Sequence, residues 1–382
     1  AYEEACELYN GMIKKHPRLI ARCTNVADIM TAVNFGREND LLIAIRGGGH
    51  NGPGLGSCDD GLVIDLSMMK GVRVDPNAAT VQVEPGCTQG DVDHATHAFG
   101  LAVPAGIVST TGIAGLTLGG GTGYLTRKYG LTIDNLIEAD VVLANGQFVT
   151  ANEKSNPDLF WAIRGGGGNF GVVTNFVFKA HPVSTVFAGP IFWEIADAHK
   201  VMQKYRDFIG GAPEELGAFV GLKTVPSCAP FPEEHWGKKI CAIISSYNGS
   251  EADGRSALEP LLGELPEPIL NWMGEMPFPA IQSLFDPLMP KGMQWYWKGD
   301  FVQELSKEAI DTHIAQISEA PSELSLMHLY PIDGAVHRVA SGDTAWSTRN
   351  ARWSMVIAAI DAAPEKAEEL KRWGRSYWKA IH

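Results

Sequence analysis

The sequence predicts an α+β chain of two domains, and three observations carry that prediction. At 382 residues, with 45% hydrophobic content, it can fill two cores. Eleven of its 42 glycines fall in three clusters, Arg46–Gly49, Gly119–Gly123 and Arg164–Gly168, which lie in the first half and between strand and helix signals. Beyond His181-Pro182 the glycines thin out, and long amphipathic strands alternate with helices. That boundary divides the chain into domains at 1–182 and 183–382, the second an antiparallel sheet covered by helices on one side.

Asn25 is placed to cap a helix whose apolar stripe is Val26, Ile29, Met30 and Val33. Strands follow at Leu41–Ile45 and Leu62–Leu66. Asp75-Pro76-Asn77 turns a hairpin between Val72–Val74 and Thr80–Val83. A short helix near Gln89–Phe99 stops at Gly100. Asn145-Gly146 is a two-residue hairpin turn between Val141–Ala144 and Gln147–Thr150. Asn156-Pro157 opens another helix, and Val172–Lys179 is an alternating strand. In the second domain, strands are expected at Val186–Ile195, Ala218–Val225, Lys239–Tyr247 and Gln294–Val302. Helices are expected at Ala196–Ile209 and Lys307–Ser318.

The balance of 31 basic against 44 acidic residues leaves a net charge of −13. An acidic surface repels nucleic-acid phosphates and anionic lipid, so neither is expected as a partner. No apolar run approaches the roughly 20 residues a membrane span needs, and no leader pattern opens the chain, which begins with Ala. A cytoplasmic location is the expectation. The six cysteines are scattered, with no CxxC and no metal spacing, and read as small buried hydrophobes; no metal is expected.

Two stretches match GxGxxG: Gly47, Gly49, Gly52 and Gly166, Gly168, Gly171. A Rossmann unit needs a helix to begin in that loop, so that its first amides hold a pyrophosphate. Pro53, Gly54 and Gly56 argue against a helix after the first match, and the second has its helix before the loop. Asp65, near the spacing of a ribose-binding acid, therefore stands without its motif. Consecutive backbone N–H groups form anion-binding concavities without any helix. Arg46 would add charge at the rim, and Ser109 and Thr110 would add hydroxyls. A diphosphate joined to a large flat ring system suits three such loops. His50, directly after three glycines, would stand beside that ligand as a neutral imidazole nucleophile.

Four ordered stretches then make a specific pattern: Arg46–Asn51 (RGGGHN), Ile107–Gly123 (IVSTTGIAGLTLGGGTG), Arg127–Leu131 with Asp134-Asn135, and Asn156–Gly171 (NPDLFWAIRGGGGNFG). Together they resemble the berberine-bridge-enzyme-like branch of the vanillyl-alcohol-oxidase flavoproteins. The resemblance implies a PCMH-type FAD-binding domain of two α+β subdomains, and a substrate domain whose sheet roofs the flavin. It implies that the Arg46, Gly47, Gly48, Gly49, His50, Asn51 loop holds the pyrophosphate, with His50 bonded to the flavin 8α carbon. Ser109, Thr110, Gly112, Gly115, Gly119, Gly120, Gly121 and Gly123 would line the FAD, and Gly171 and Val172 would close on its adenine side. The implied activity is that of an oxidase, taking a hydride from an alcohol, sugar or amine-bearing small molecule and passing electrons to O2.

The sequence departs from the family in three places. Val108 stands where doubly linked members have Cys, so a single link is expected; Thr111, three residues on, then takes the position that gates oxygen. Trp346-Ser347-Thr348-Arg349 lacks the histidine of the corresponding segment in relatives. Relatives also continue past the helix Pro364–His382, which has no stop signal here, so the active chain is expected to extend further. With that tail missing, the catalytic base falls to other residues. On Gln294–Val302 alternation puts Tyr296, Lys298 and Asp300 on one face and Trp295 and Trp297 on the other. Tyr296 and Lys298 are the choice made from sequence, over His328 and Tyr330 on the next strand. The rival readings are a nicotinamide-dependent dehydrogenase and a flavin-loaded binding protein with little turnover.

Overall fold

A computed structural model describes residues 2–382. Their contacts sort into two units. The first runs to Ser184 and regains Phe278–Gly292 and Arg338–Arg349, and the second holds Thr185–Pro277, Met293–His337 and Asn350–His382. The first break, after Ser184, falls beside the boundary expected at Pro182, and two later segments return to the first unit. Their side chains explain the return. Asp286 accepts from the Ser109 amide at 3.0 Å, and Arg349 grips the buried Asp134 carboxylate at 2.6 and 2.7 Å.

The first unit has two α+β subdomains, as expected. The helix Val26–Glu38 begins where Asn25 accepts from the Asp28 amide at 3.1 Å. It buries Ile29, Ala32 and Val33 over a parallel sheet of β1 (Leu19–Arg22), β2 (Ile43–Arg46) and β3 (Leu62–Asp65), in the order β1-β3-β2. No helix lies between β2 and β3, which removes the Rossmann reading. The second subdomain is antiparallel: β4 (Val72–Asp75), β5 (Thr80–Val83), β6 (Leu136–Val142), β7 (Phe148–Asn152) and β8 (Val172–Lys179), ordered β4-β5-β8-β6-β7. Val81, Val83, Phe176 and Phe178 point into its core, where Ile113 and Phe160 meet them from the flanking helices.

In the second unit the antiparallel sheet comprises β9 (Thr185–Glu194), β10 (Leu216–Thr224), β11 (Lys239–Tyr247), β12 (Gln294–Val302), β13 (Leu326–Pro331) and β14 (Trp353–Asp361). Their order is β9-β11-β10-β13-β14-β12, with two short strands, Leu270–Asn271 and Gly274–Pro277, on the outer edge of β9. Helices Ala198–Ile209, Lys307–Ser318 and Ala367–Ile381 pack on the face that carries Val220, Leu222, Met327, Leu329, Met355 and Ile357, all at most 1% exposed. Tyr205 of the first helix donates to the Ala218 carbonyl at 2.7 Å and its ring meets Trp353. Strand alternation then puts Phe219, Gly221, Lys223, His328, Tyr330, Val356 and Trp297 on the opposite face. No helix among the described residues is long and apolar enough to cross a membrane.

Candidate functional site

The loop after β2 is built around a crowded glycine contact. A Cβ on Gly48 would stand 2.5 Å from the Gly112 Cα, so only two glycines let these backbones touch. Gly49 holds φ +68°, which turns the chain into His50. Among the described residues, the N–H groups of Gly47, Gly48 and Gly49 meet no protein acceptor. Three successive amides are thus left as donors with no protein partner.

His50 stacks on Tyr9, with ring centroids 3.6 Å apart and 26° between planes. Its Nε2 is buried and has no hydrogen-bond partner. Burial lowers the imidazole pKa to about 4, so the ring is neutral at ordinary pH with its lone pair free. A buried ring nitrogen without a partner costs on the order of 1–3 kcal/mol unless something else engages it. The neutral imidazole and the free amides fit the flavin dinucleotide that the motif pattern implies.

Other expected contacts fall differently. Arg46 is 7% exposed and donates to Asp65 at 2.9 Å and to the Ala5 carbonyl at 2.7 Å, so its charge is not at the rim. Asp65, the apparent ribose acid, is its buried partner. Asn51 accepts from the Leu55 amide at 2.9 Å and shapes the loop. Ser109 gives both its amide and its hydroxyl to Asp286, while Thr110 is exposed and Thr111 half-buried. Val172 is a core residue beside Val142 and Ile64, at 2% exposure.

The glycines of the second and third clusters divide into two groups. A Cβ on Gly120 would lie 2.9 Å from the Trp346 ring, and one on Gly165 would lie 2.5 Å from the Trp346 Cβ. Gly121 faces Thr132, Gly123 the Ala105 carbonyl and Gly171 the Val142 carbonyl, each closer than a methyl group allows. Their missing side chains are thus explained by protein packing. Gly115, Gly167 and Gly168 have nothing within 4 Å, and Gly119 has only ordinary contacts of its own helix turn. The sequence pattern marks the clusters but cannot separate the two groups.

Tyr296 and Lys298, the choice made from sequence, lie on the face of the sheet that the helices cover. They project toward the helix Ala367–Ile381: Arg375 donates to the Tyr296 hydroxyl at 3.2 Å, and the Lys298 ammonium lies 5.1 Å from the centre of the Trp378 ring. Asp300 meets His382 on the same side. Alternation on β12 was legible, but it cannot say which face the helices cover. On the other face His328 Nδ1 lies 2.8 Å from the Tyr330 hydroxyl, and Phe219 packs against both rings. Burial and the nearby Lys223 lower His328 to about 3, and burial lowers the Lys223 ammonium to about 8. Lys223 was not visible as a candidate, because a lysine in an alternating strand reads as a solvated residue.

The FAD binding domain family matches residues 17–152. Over 372 residues the chain is 35% identical to an FAD-linked oxidoreductase of Dictyostelium discoideum, covering 96% of this chain and 78% of that one. It is 36% identical over 193 residues to (R)-6-hydroxynicotine oxidase of Paenarthrobacter nicotinovorans, covering 50% of this chain and 42% of that one. The structure of BBE-like 1 from Physcomitrella patens matches with a TM-score of 0.87 at 26% identity, covering 100% of this chain and 84% of that one. The two-subdomain fold of the first unit agrees with these matches. The chain belongs to the berberine-bridge-enzyme-like family of FAD-linked oxidoreductases.

Proposed function

We propose that the chain is an oxidase that carries FAD on His50, oxidises a small hydroxyl- or amine-bearing molecule and passes the electrons to O2. The observation that carries this reading is His50, a neutral imidazole whose buried nitrogen has no partner, set in a loop of free amides. The bound flavin supplies the redox chemistry, accepting the electron pair of a substrate C–H bond. The Gly47–Gly49 amides would hold the pyrophosphate, and Gly115 and Gly119, whose Cα atoms are not crowded by protein, would let backbone approach the cofactor. Gly167 and Gly168, whose Cα atoms are open, join them. The oxidase named among the relatives acts on a hydroxynicotine, which favours an amine or a hydroxylated ring as substrate.

The helix-free face of the second unit's sheet carries two groups with the chemistry to handle a proton, Lys223 and His328. Lys223, as the free amine, accepts it, because an ammonium of pKa about 8 gives up its own proton near working pH. His328 Nε2, on the ring that Tyr330 fixes through Nδ1, holds the substrate's oxygen or nitrogen. A panel of alcohols, sugars and alkaloid-like amines, read by flavin bleaching under nitrogen and by hydrogen peroxide on readmission of air, tests the reading. Bleaching followed by peroxide is the expected result; no bleaching across the panel refutes the substrate class. Denatured protein should keep a fluorescent flavin on a peptide containing His50, and His50→Ala should release it while the fold persists. Intact mass without an FAD adduct would refute the attachment.

A further inference from the structure

We propose that Tyr9 positions His50 for covalent attachment of the flavin, acting as a fixed platform for the imidazole ring. The inference rests on the reading of His50 as the attachment site.

The segment around Tyr9 is tied down on every side. Its amide donates to the Gly49 carbonyl at 3.1 Å, and its carbonyl accepts from the Gly292 amide at 2.9 Å. Its hydroxyl donates to the Met289 carbonyl at 2.6 Å, and Asn10 donates to the Gly52 carbonyl at 2.8 Å. Leu8 and Tyr9 are 4% and 5% exposed. The chain from Leu8 to Asn10 therefore spans the His50 loop, bonded to residues on both sides of the histidine. Burial and the carboxylate of Asp286 raise the phenol pKa, so the hydroxyl stays a donor.

Stacking is the arrangement that leaves a nucleophile usable. Tyr9 covers a face of the imidazole, whereas the nitrogen lone pair lies in the ring plane and leaves through the edge. The platform stops rotation of the ring and excludes water from one face, which favours the neutral form. No charge offsets that effect: Arg46, the nearest cation in sequence, is turned to Asp65, and Asp286 acts on Tyr9. In the attachment step an N–C bond forms to the 8α carbon as one C–H and one N–H bond break. The electron pair and both protons go to the ring system, and dioxygen removes them as hydrogen peroxide.

The test uses full-length apoprotein from a riboflavin-limited host, mixed with FAD. Covalent incorporation is followed by fluorescence on denaturing gels and by intact mass, and noncovalent uptake by quenching of FAD fluorescence. Tyr9→Leu should bind FAD but incorporate it about ten- to a hundredfold more slowly, the loss that misplacement of a reacting group brings. Its rate should also rise between about pH 5 and pH 7, as the imidazole returns toward its ordinary pKa of about 6.5, whereas the wild-type rate is flat there. Tyr9→Phe and Tyr9→Trp keep a ring and should restore most of the rate and the flat profile. If Tyr9→Leu does not fold, Tyr9→Met against Tyr9→Phe makes the same comparison of flexible chain and ring. A folded, ring-free variant with the wild-type rate and profile overturns the inference. A wild-type chain that takes up FAD without forming an adduct overturns the covalent reading, and this inference with it.

Discussion

Lys223 sets the pH dependence expected of the proposed reaction. Burial lowers its ammonium to about 8, with weaker opposing pulls from Cys228 and Glu323, and its charge helps hold His328 at about 3. Only the free amine accepts a proton, so kcat/KM should rise as pH climbs through about 8 and level off above it. Lys223→Met should remove that limb and slow flavin reduction about 10²- to 10⁴-fold, the usual contribution of a positioned base. Anaerobic stopped-flow from about pH 6 to about pH 10 measures both effects. A variant profile that still rises through about 8 assigns the base to another group. At this scale the sequence was uneven. His50 was marked by the three glycines before it, and the structure finds its ring buried with no partner at Nε2. Lys223, Tyr9 and Asp286 were not marked, because each acts through neighbours far along the chain.

Elements were legible wherever local chemistry decides them. Asn25 as a cap, Asn145-Gly146 as a turn and the alternation of Val172–Lys179 all hold in the structure. The face of β12 was not legible, since Tyr296, Lys298 and Asp300 can shelter their stems under an amphipathic helix and look like pocket residues in sequence. The turn from Val108 to Gly112 shows how an element constrains a residue. Asp286 holds Ser109, the Thr111 amide donates to the Val108 carbonyl at 3.1 Å, and the Thr111 carbonyl accepts from Gln89 at 2.8 Å. The backbone at Thr111 is thus held in place while its side chain stays half-buried. If Thr111 borders the path of oxygen, as the family resemblance implies, Thr111→Leu adds bulk without disturbing the turn. Stopped-flow should then show slower reoxidation, about tenfold or more, with reduction unchanged. Equal reoxidation rates would remove Thr111 from that path.

At the scale of the molecule, the division into units could not be read along the chain, because the first unit is made of three separated stretches. The segment Arg338–Arg349 is held to it by backbone and by charge. The Trp346 amide donates to the Arg164 carbonyl at 3.2 Å, and Trp161 donates to the Gly342 carbonyl at 2.8 Å. Arg349 makes its paired bonds to Asp134 with both side chains under 10% exposed. This explains the Asp134-Asn135 motif without a ligand. Asp134 also accepts from the Leu131 amide at 2.9 Å, and Asn135 donates to the Tyr129 and Leu131 carbonyls at 3.0 and 2.9 Å. Taking two charges out of water offsets most of their attraction, but removing one partner strands the other. Arg349→Met should therefore destabilise the first unit by about 3–5 kcal/mol, whereas Asp134→Leu with Arg349→Met should cost far less. Urea unfolding followed by flavin fluorescence reads the first unit directly. If the double variant were as unstable as Arg349→Met alone, the loss would lie in the fit of the returning segment rather than in a stranded carboxylate.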